Sequence, residues 1–357
     1  MSALAALLRD IIAKDGPITV ERYMAEALGH PAHGYYVTRD PLGAKGDFTT
    51  APEISQMFGE MIGLWCVATW QRMGAPSSFV LAELGPGRGT LMADALRAAR
   101  LEPRFLAAAK LHLVETSPAL REKQRAALVA HNPSWHGDFA DVPGGPLLLV
   151  ANEFFDALPI RQFERTASGW RERLIGAAQD KFAFTLSTGE PDLLLPGDAP
   201  AGAVVETSPA SQRIMRAVGE RIARHGGAAL AIDYGYVRAE SAGAWGETLQ
   251  ALRGHQRHDP LDAPGEADLT AHVDFAALAR AAREAGATAH GPLPQGLFLK
   301  ALGIELRALR LARDATPEQR AAIDAALHRL THADGMGLLF KALAVAHPSL
   351  GTPDGFA

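Results

Sequence analysis

Cysteine is almost absent: Cys66 is the single one in 357 residues, so an intrachain disulfide is excluded. It lies in the apolar run Met61-Ile62-Gly63-Leu64-Trp65-Cys66-Val67-Ala68, where it reads as core packing and fits a reducing compartment. An excess of positive charge is also missing. The net charge of −5 offers no general grip on a polyanion, which disfavours nucleic acid as a partner. No apolar stretch approaches the roughly 18 to 20 residues that a membrane-spanning helix needs, so no membrane insertion is expected. Residues 1 to 16 alternate apolar positions with Arg9, Asp10, Lys14 and Asp15. They lack both the apolar block of a signal peptide and an Arg-rich, acid-poor transit pattern. The expectation is a soluble, cytoplasmic protein without internal repeats or low-complexity tracts.

With 48% apolar and 21% charged residues the chain is globular, and its length suits a sizeable α/β core with an appended subdomain. Helical spacing covers 3–14 and 19–28, with Thr19 as a cap, before a turn-rich stretch from 29 to 52 and a long helical pattern over 53–73. From residue 79, short apolar runs (79–84, 111–115, 147–151, 228–233) alternate with helical segments (90–100, 119–131, 210–225). That rhythm predicts a doubly wound parallel sheet, with 338–346 as a late strand. Residues 160–200 read as an inserted β-rich layer and 235–272 as poor in periodic structure, while 273–286 and 295–332 return to helix. The expected division is an N-terminal helical and lid region (1–75), a main domain (76–346) with insertions at about 160–205 and 235–335, and a tail (347–357).

The chemistry-bearing residues cluster after the predicted strands. Strand 79–84 runs through Glu83 into Gly85-Pro86-Gly87-Arg88-Gly89-Thr90 and then a helix. Glycine tolerates left-handed backbone and lets a ligand approach the main chain, and a helix start offers free amides to an anion. The same glycines would also serve an ordinary tight turn. Their spacing is G-x-G-x-G, whereas the dinucleotide fingerprint has two residues before its last glycine, so S-adenosylmethionine is favoured over NAD. Glu115, at the end of the next strand, is placed to accept both ribose hydroxyl hydrogens, or to act as a helix-start acid ahead of Pro118. In Trp135-His136-Gly137-Asp138-Phe139, Asp138 is a candidate for the adenine amino group and Phe139 for an apolar contact, with a surface turn as the alternative.

At the end of the fourth strand, Asn152-Glu153-Phe154-Phe155-Asp156 breaks out of Leu147-Leu148-Leu149-Val150. Methyl transfer from a sulfonium is a direct displacement that needs alignment, a dry site and handling of the acceptor's proton and charge. Two carboxylates suit a guanidinium, so Glu153 and Asp156, with Asn152, are the catalytic candidates. The alternative is that Asn152 and Glu153 cap the turn and that Phe154 and Phe155 are core. Asp47, Thr49, Glu53 and Ser55 gather in 46–55 as a lid over the cofactor, or as a capped helix start with Pro52 in its first turn. His255 and His258 lie in an irregular segment without a ligand pattern, with Asp268 and His272 further on. Loop hydrogen bonding or acceptor recognition is preferred there, and no metal is expected.

Taken in order, residues 46–60, the loop at 83–91, 152–159, Ile232-Asp233-Tyr234-Gly235 and 264–275 resemble the MidA-like methyltransferase family, over about residues 16 to 346. That family includes the mitochondrial complex I assembly arginine methyltransferase. The resemblance implies a class I methyltransferase fold, S-adenosyl-L-methionine as cofactor, and methylation of an arginine in a subunit of the NADH:quinone oxidoreductase. Thr50-Ala51-Pro52 stands where the mitochondrial form has Thr-Ser-Pro. A small-molecule methyltransferase and a non-catalytic assembly factor that keeps the cofactor fold are the competing classes. The oligomeric state is not legible.

Overall fold

The computed structural model describes residues 2–38, 49–178, 181–237 and 245–357. The chain divides into two compact units, each built from three stretches of sequence.

The larger unit comprises Thr49–Phe155, Arg213–Val237 and Phe275–Ala357. Its sheet contains β1 (Phe79–Leu84), β2 (Ala109–Val114), β3 (Ser134–His136), β4 (Leu147–Asn152), β5 (Gly227–Tyr236), β6 (Thr288–Pro294) and β7 (Phe340–Ala346). They lie in the order β6-β7-β5-β4-β1-β2-β3. The first five are mutually parallel, and β7 runs antiparallel between β5 and β6. Every residue of β1 and β4 is buried, as expected of parallel strands covered on both faces. The expected doubly wound α/β architecture is therefore present.

Helix α1 (Gln56–Arg72) packs on α2 (Thr90–Ala98), which leaves the glycine loop. The contact is close because α1 presents Gly59 and Gly63. A Cβ on Gly59 would stand 2.6 Å from Asp94 Cβ, and one on Gly63 2.4 Å from the Ala95 carbonyl. Beside it, the buried Glu60 accepts from Arg97 at 3.1 Å and from Arg307 of α5 (Ile304–Ala312) at 2.6 and 3.0 Å. Burial alone would raise the Glu60 pKa, but the two guanidinium groups outweigh it and hold the carboxyl below its ordinary range. Further helices of this unit include α3 (Pro118–Ala127), α4 (Phe275–Glu284) and α6 (Pro317–Thr331).

The smaller unit comprises Met1–Phe48, Asp156–Gln212 and Arg238–Asp274. In it, Gly169–Ala178 pairs with Arg161–Thr166, Lys181–Leu186 and Ile18–Thr19, and Val204–Thr207 adds to Arg161–Thr166. Helices Ala3–Asp15 and Val20–Gly29 bury Leu4, Leu8, Tyr23 and Met24 with Ile175 and Leu269. Thr19 does cap the second helix, its hydroxyl accepting from Arg22 N at 3.1 Å.

Two sequence expectations change. The helix expected over 53–73 is two helices, Ala51–Ile54 and α1, because Ser55 is extended (φ −162°, ψ 140°) and its side chain caps α1 at Met57 N. The segment read as aperiodic holds a three-stranded sheet of Gln250–Arg253, Gln256–His258 and Asp268–Thr270. Gly254 and His255 link the first two with φ of 58° and 60°, the left-handed pair that tight hairpins favour. Among the described residues no helix is long and apolar enough to cross a membrane.

Candidate functional site

The loop after β1 holds three left-handed glycines in five residues, Gly85 (φ 60°), Gly87 (φ 54°) and Gly89 (φ 83°), a shape that residues with a Cβ resist. Gly85 N donates to the Val114 carbonyl at 3.0 Å, and Gly89 directly precedes α2. Thr90, the first residue of α2, donates its hydroxyl to Glu53 Oε1 at 2.6 Å. Glu53 Oε2 lies 4.0 Å from Arg88. The short helix Ala51–Ile54 is thereby tied to the loop through Glu53. Ser55 is spent on capping α1, Thr49 is half-buried, and Asp47 lies outside the described residues.

Glu115 is buried beside this loop. Its Oε1 accepts from Ser117 N at 2.8 Å and its Oε2 from Gln124 Nε2 at 3.1 Å. Burial raises its pKa against these hydrogen bonds. Gln124, fully buried on α3, also donates to the Gly87 carbonyl at 2.7 Å and accepts from Trp135 Nε1 at 2.8 Å. One amide thus locks the loop, the acid and β3 together, a role that sequence reading missed because α3 shows only helical spacing. Asp138 is exposed and caps the turn at Ala140 N (2.9 Å), while Phe139 is buried with the Arg221 guanidinium 5.6 Å from its ring centre.

Beyond β4 the backbone turns sharply at Glu153, whose φ is +49°. Its Oε1 accepts from Ala51 N at 2.8 Å and from Asn152 Nδ2 at 3.1 Å. The turn is held from below by Asp233, fully buried on β5. Its Oδ2 accepts from Phe154 N (3.2 Å) and Phe155 N (3.0 Å), and its Oδ1 from Tyr234 N (2.9 Å). Asp233 is the second residue that sequence reading left without a role, although an acid closing the apolar run 228–233 is a readable signal. Phe155 is buried, and Phe154 packs where a Cβ on Gly85 would stand, 2.8 Å from its Cδ2.

Two buried acceptors here have no hydrogen-bond partner, Glu83 Oε2 on β1 and Asn152 Oδ1 on the adjacent β4. An unpaired buried acceptor is costly, so the carboxyl end of these strands calls for a ligand that brings donors. Burial first, and then the charge of Glu115, push Glu83 up to about 8. Left-handed glycines, an orphaned acceptor and a buried acid just after the next strand together fit S-adenosylmethionine, whose methionine part carries an ammonium and whose ribose carries two hydroxyls.

In the smaller unit, Asp156 is buried and its carbonyl accepts from Ala271 N at 2.9 Å. Tyr36 donates to Asp268 Oδ1 at 2.8 Å. Burial, then Asp268 and Asp156, hold the Tyr36 phenol well above its usual range. His255 and His258 are exposed on the hairpin.

Residues 61–293 match a family described as S-adenosyl-L-methionine-dependent methyltransferase. The mitochondrial protein arginine methyltransferase NDUFAF7 of Mus musculus is 42% identical, over 87% of this chain and 76% of its own length. The Drosophila melanogaster homologue is 39% identical over 96% and 84%. A crystal structure of a Burkholderia thailandensis protein bound to S-adenosyl-homocysteine superposes with a TM-score of 0.86 at 30% identity, covering 99% of this chain and 94% of that one. The expectation of a cytoplasmic protein is corrected by these relatives, which are named as mitochondrial. It had rested on the composition of the first residues, and composition reports no compartment. The glycine loop has its meaning from this company: the chain belongs to the S-adenosyl-L-methionine-dependent methyltransferase family, with the class I-like fold and that cofactor.

Proposed function

We propose that the protein methylates an arginine side chain of a protein, and that the acceptor belongs to a subunit of the NADH:quinone oxidoreductase. The relatives named as protein arginine methyltransferases support the residue type, and the family resemblance supports the acceptor complex. The observation that carries the chemistry is the turn at the end of β4, where the carboxylate of Glu153 and the unpartnered Oδ1 of Asn152 stand together. A guanidinium has only donors to offer, and these are acceptors.

S-adenosylmethionine, when bound, supplies a sulfonium-borne methyl for direct displacement. Glu153 accepts an N–H of the acceptor, orients the attacking nitrogen, and takes up the proton that the methylated nitrogen sheds. Asp156 adds a second carboxylate from the same segment, and Phe154 and Phe155 limit water at the turn. For the cofactor, Gly85, Gly87, Gly89 and Thr90 form the cradle, Glu83 takes the ammonium, Glu115 the ribose hydroxyls, and Asp138 with Phe139 the adenine. Thr49, Glu53 and Ser55 belong to the segment that covers it, and His255 and His258 are exposed groups for acceptor recognition.

The test is incubation of the protein with labelled cofactor and a preparation of the NADH:quinone oxidoreductase, followed by peptide mapping. Label on an arginine of one subunit is expected. Label on a small molecule, or on another residue type, overturns the reading.

Glu115→Ala is expected to weaken cofactor binding by about 1.5–3 kcal/mol, the range for hydrogen bonds to a charged group, or roughly ten- to a hundredfold. Calorimetry reads it, and an unchanged dissociation constant removes the ribose role. The pH dependence follows from Glu83. Without ligand its carboxyl stays protonated up to about 8, so its contribution to stability is lost as pH rises from its ordinary 4.5 towards 8. A cationic ligand needs the ionised form, so binding below pH 8 releases a proton. Affinity should rise by up to about tenfold per pH unit between pH 6 and 8 and then level. Glu83→Gln should flatten that slope, and a slope that survives the change would assign it elsewhere.

A further inference from the structure

The C-terminal end of α6 carries donors that methyl transfer leaves unused. His328 lies in the last turn of the helix and His332 is its C-cap residue, four positions on. Their rings stack with centroids 4.0 Å apart and 20° between planes. Asp334 follows in the next turn, with its carboxylate 3.1 Å from His328 Nε2. One ligand atom from each of the three lies within 4.8 Å of the others. A tetrahedral ion with bonds of about 2.0–2.1 Å holds its ligand atoms roughly 3.4 Å apart. The side chains therefore need to close by at most about 1.4 Å, which exposed rings do by rotating.

The backbone beneath them is fixed. Gly335 N and Gly337 N both donate to the His332 carbonyl, at 3.1 and 2.9 Å. A Cβ on Gly335 would meet the Arg329 carbonyl at 2.5 Å, and one on Gly337 the Thr331 carbonyl at 2.2 Å. The turn is thus folded tightly against the helix end, and Asp334 is presented beside the histidines. Two imidazoles four residues apart on one helical face are a recurrent way to offer two nitrogens to one ion, with a carboxylate as third ligand. The negative end of the helix dipole adds attraction for a cation.

We propose that His328, His332 and Asp334 form a divalent transition-metal site, with zinc as the fitting ion and water completing the tetrahedron. Nitrogen donors exclude magnesium and calcium, which take oxygen ligands. The site pins the turn at 332–335 to the end of α6 and is separate from the methyl-transfer chemistry.

The full chain, stripped with a chelator and titrated with zinc chloride in a calorimeter, should bind one ion at this site. His328→Ala and His332→Ala should each weaken that binding at least tenfold, whereas His131→Ala should not change it. All three ligands are exposed, so the variants should keep the native circular dichroism. Cobalt(II) gives an independent readout: tetrahedral d–d absorption in the unmodified protein, lost in the double variant His328→Ala/His332→Ala. Equal zinc binding by the double variant, or neither heat nor a cobalt band in the unmodified protein, overturns the proposal.

Discussion

Glu153→Gln is expected to lower methyl transfer by about a hundred- to ten-thousandfold, the usual worth of a positioned acid–base group, while cofactor affinity stays within about twofold. The substitution isolates charge from shape. Glutamine keeps an acceptor oxygen for Ala51 N, so the turn retains its 2.8 Å anchor and the short helix Ala51–Ile54 its start. Glu153 already adopts a left-handed φ of +49°, and Gln inherits the same backbone cost, so that term cancels in the comparison. What is lost is the negative charge that holds a guanidinium and accepts its proton. Single-turnover rates with saturating cofactor measure this directly. A variant that keeps full turnover removes Glu153 from the chemistry and returns the fold to a binding role.

Gly85→Ala is the second large effect, and here binding should fail before chemistry. The residue has φ +60°, where a Cβ costs roughly 1–2 kcal/mol. The added methyl would also stand 2.8 Å from Phe154 Cδ2, an overpacking that costs about 1–3 kcal/mol. Together these give about 2–5 kcal/mol, which the loop relieves by leaving the shape that the cofactor requires. Cofactor affinity should drop at least about thirtyfold. Phe154 is the neighbour that must yield, so Gly85→Ala combined with Phe154→Ala should recover part of the loss. A dissociation constant within threefold of the unmodified protein would show that the loop is no cradle.

Much of the larger unit is legible without coordinates because its strands are continuous apolar runs. Phe79–Leu84 and Leu147–Asn152 are buried throughout, and the apolar opening of Gly227–Tyr236 has the same texture. Gln256–His258 is the opposite case, an exposed three-residue strand with no apolar face to reveal it. The break at Ser55 was hidden because apolar spacing continues across it. Long-range bonds explain the site residues that were missed. Gln124 reaches Gly87, 37 positions away, and Asp233 reaches Phe154, 79 positions away. No local pattern encodes such partners. The left-handed φ of Glu153 was equally invisible, since that conformation is ordinarily a glycine's.

The order in which the sheet is assembled also bears on how the chain is made. β7 occupies a slot between β5 and β6, yet it leaves the ribosome after both. Until then the backbone edge of β5 that faces away from β4 has no β7 to pair with, and open edges of apolar strands invite pairing with other chains. A nonsense codon between the end of β5 at Tyr236 and Phe340 would therefore do more than shorten the protein. It would strand a nascent sheet with an adhesive margin, a product for proteases and chaperones rather than a weakened enzyme.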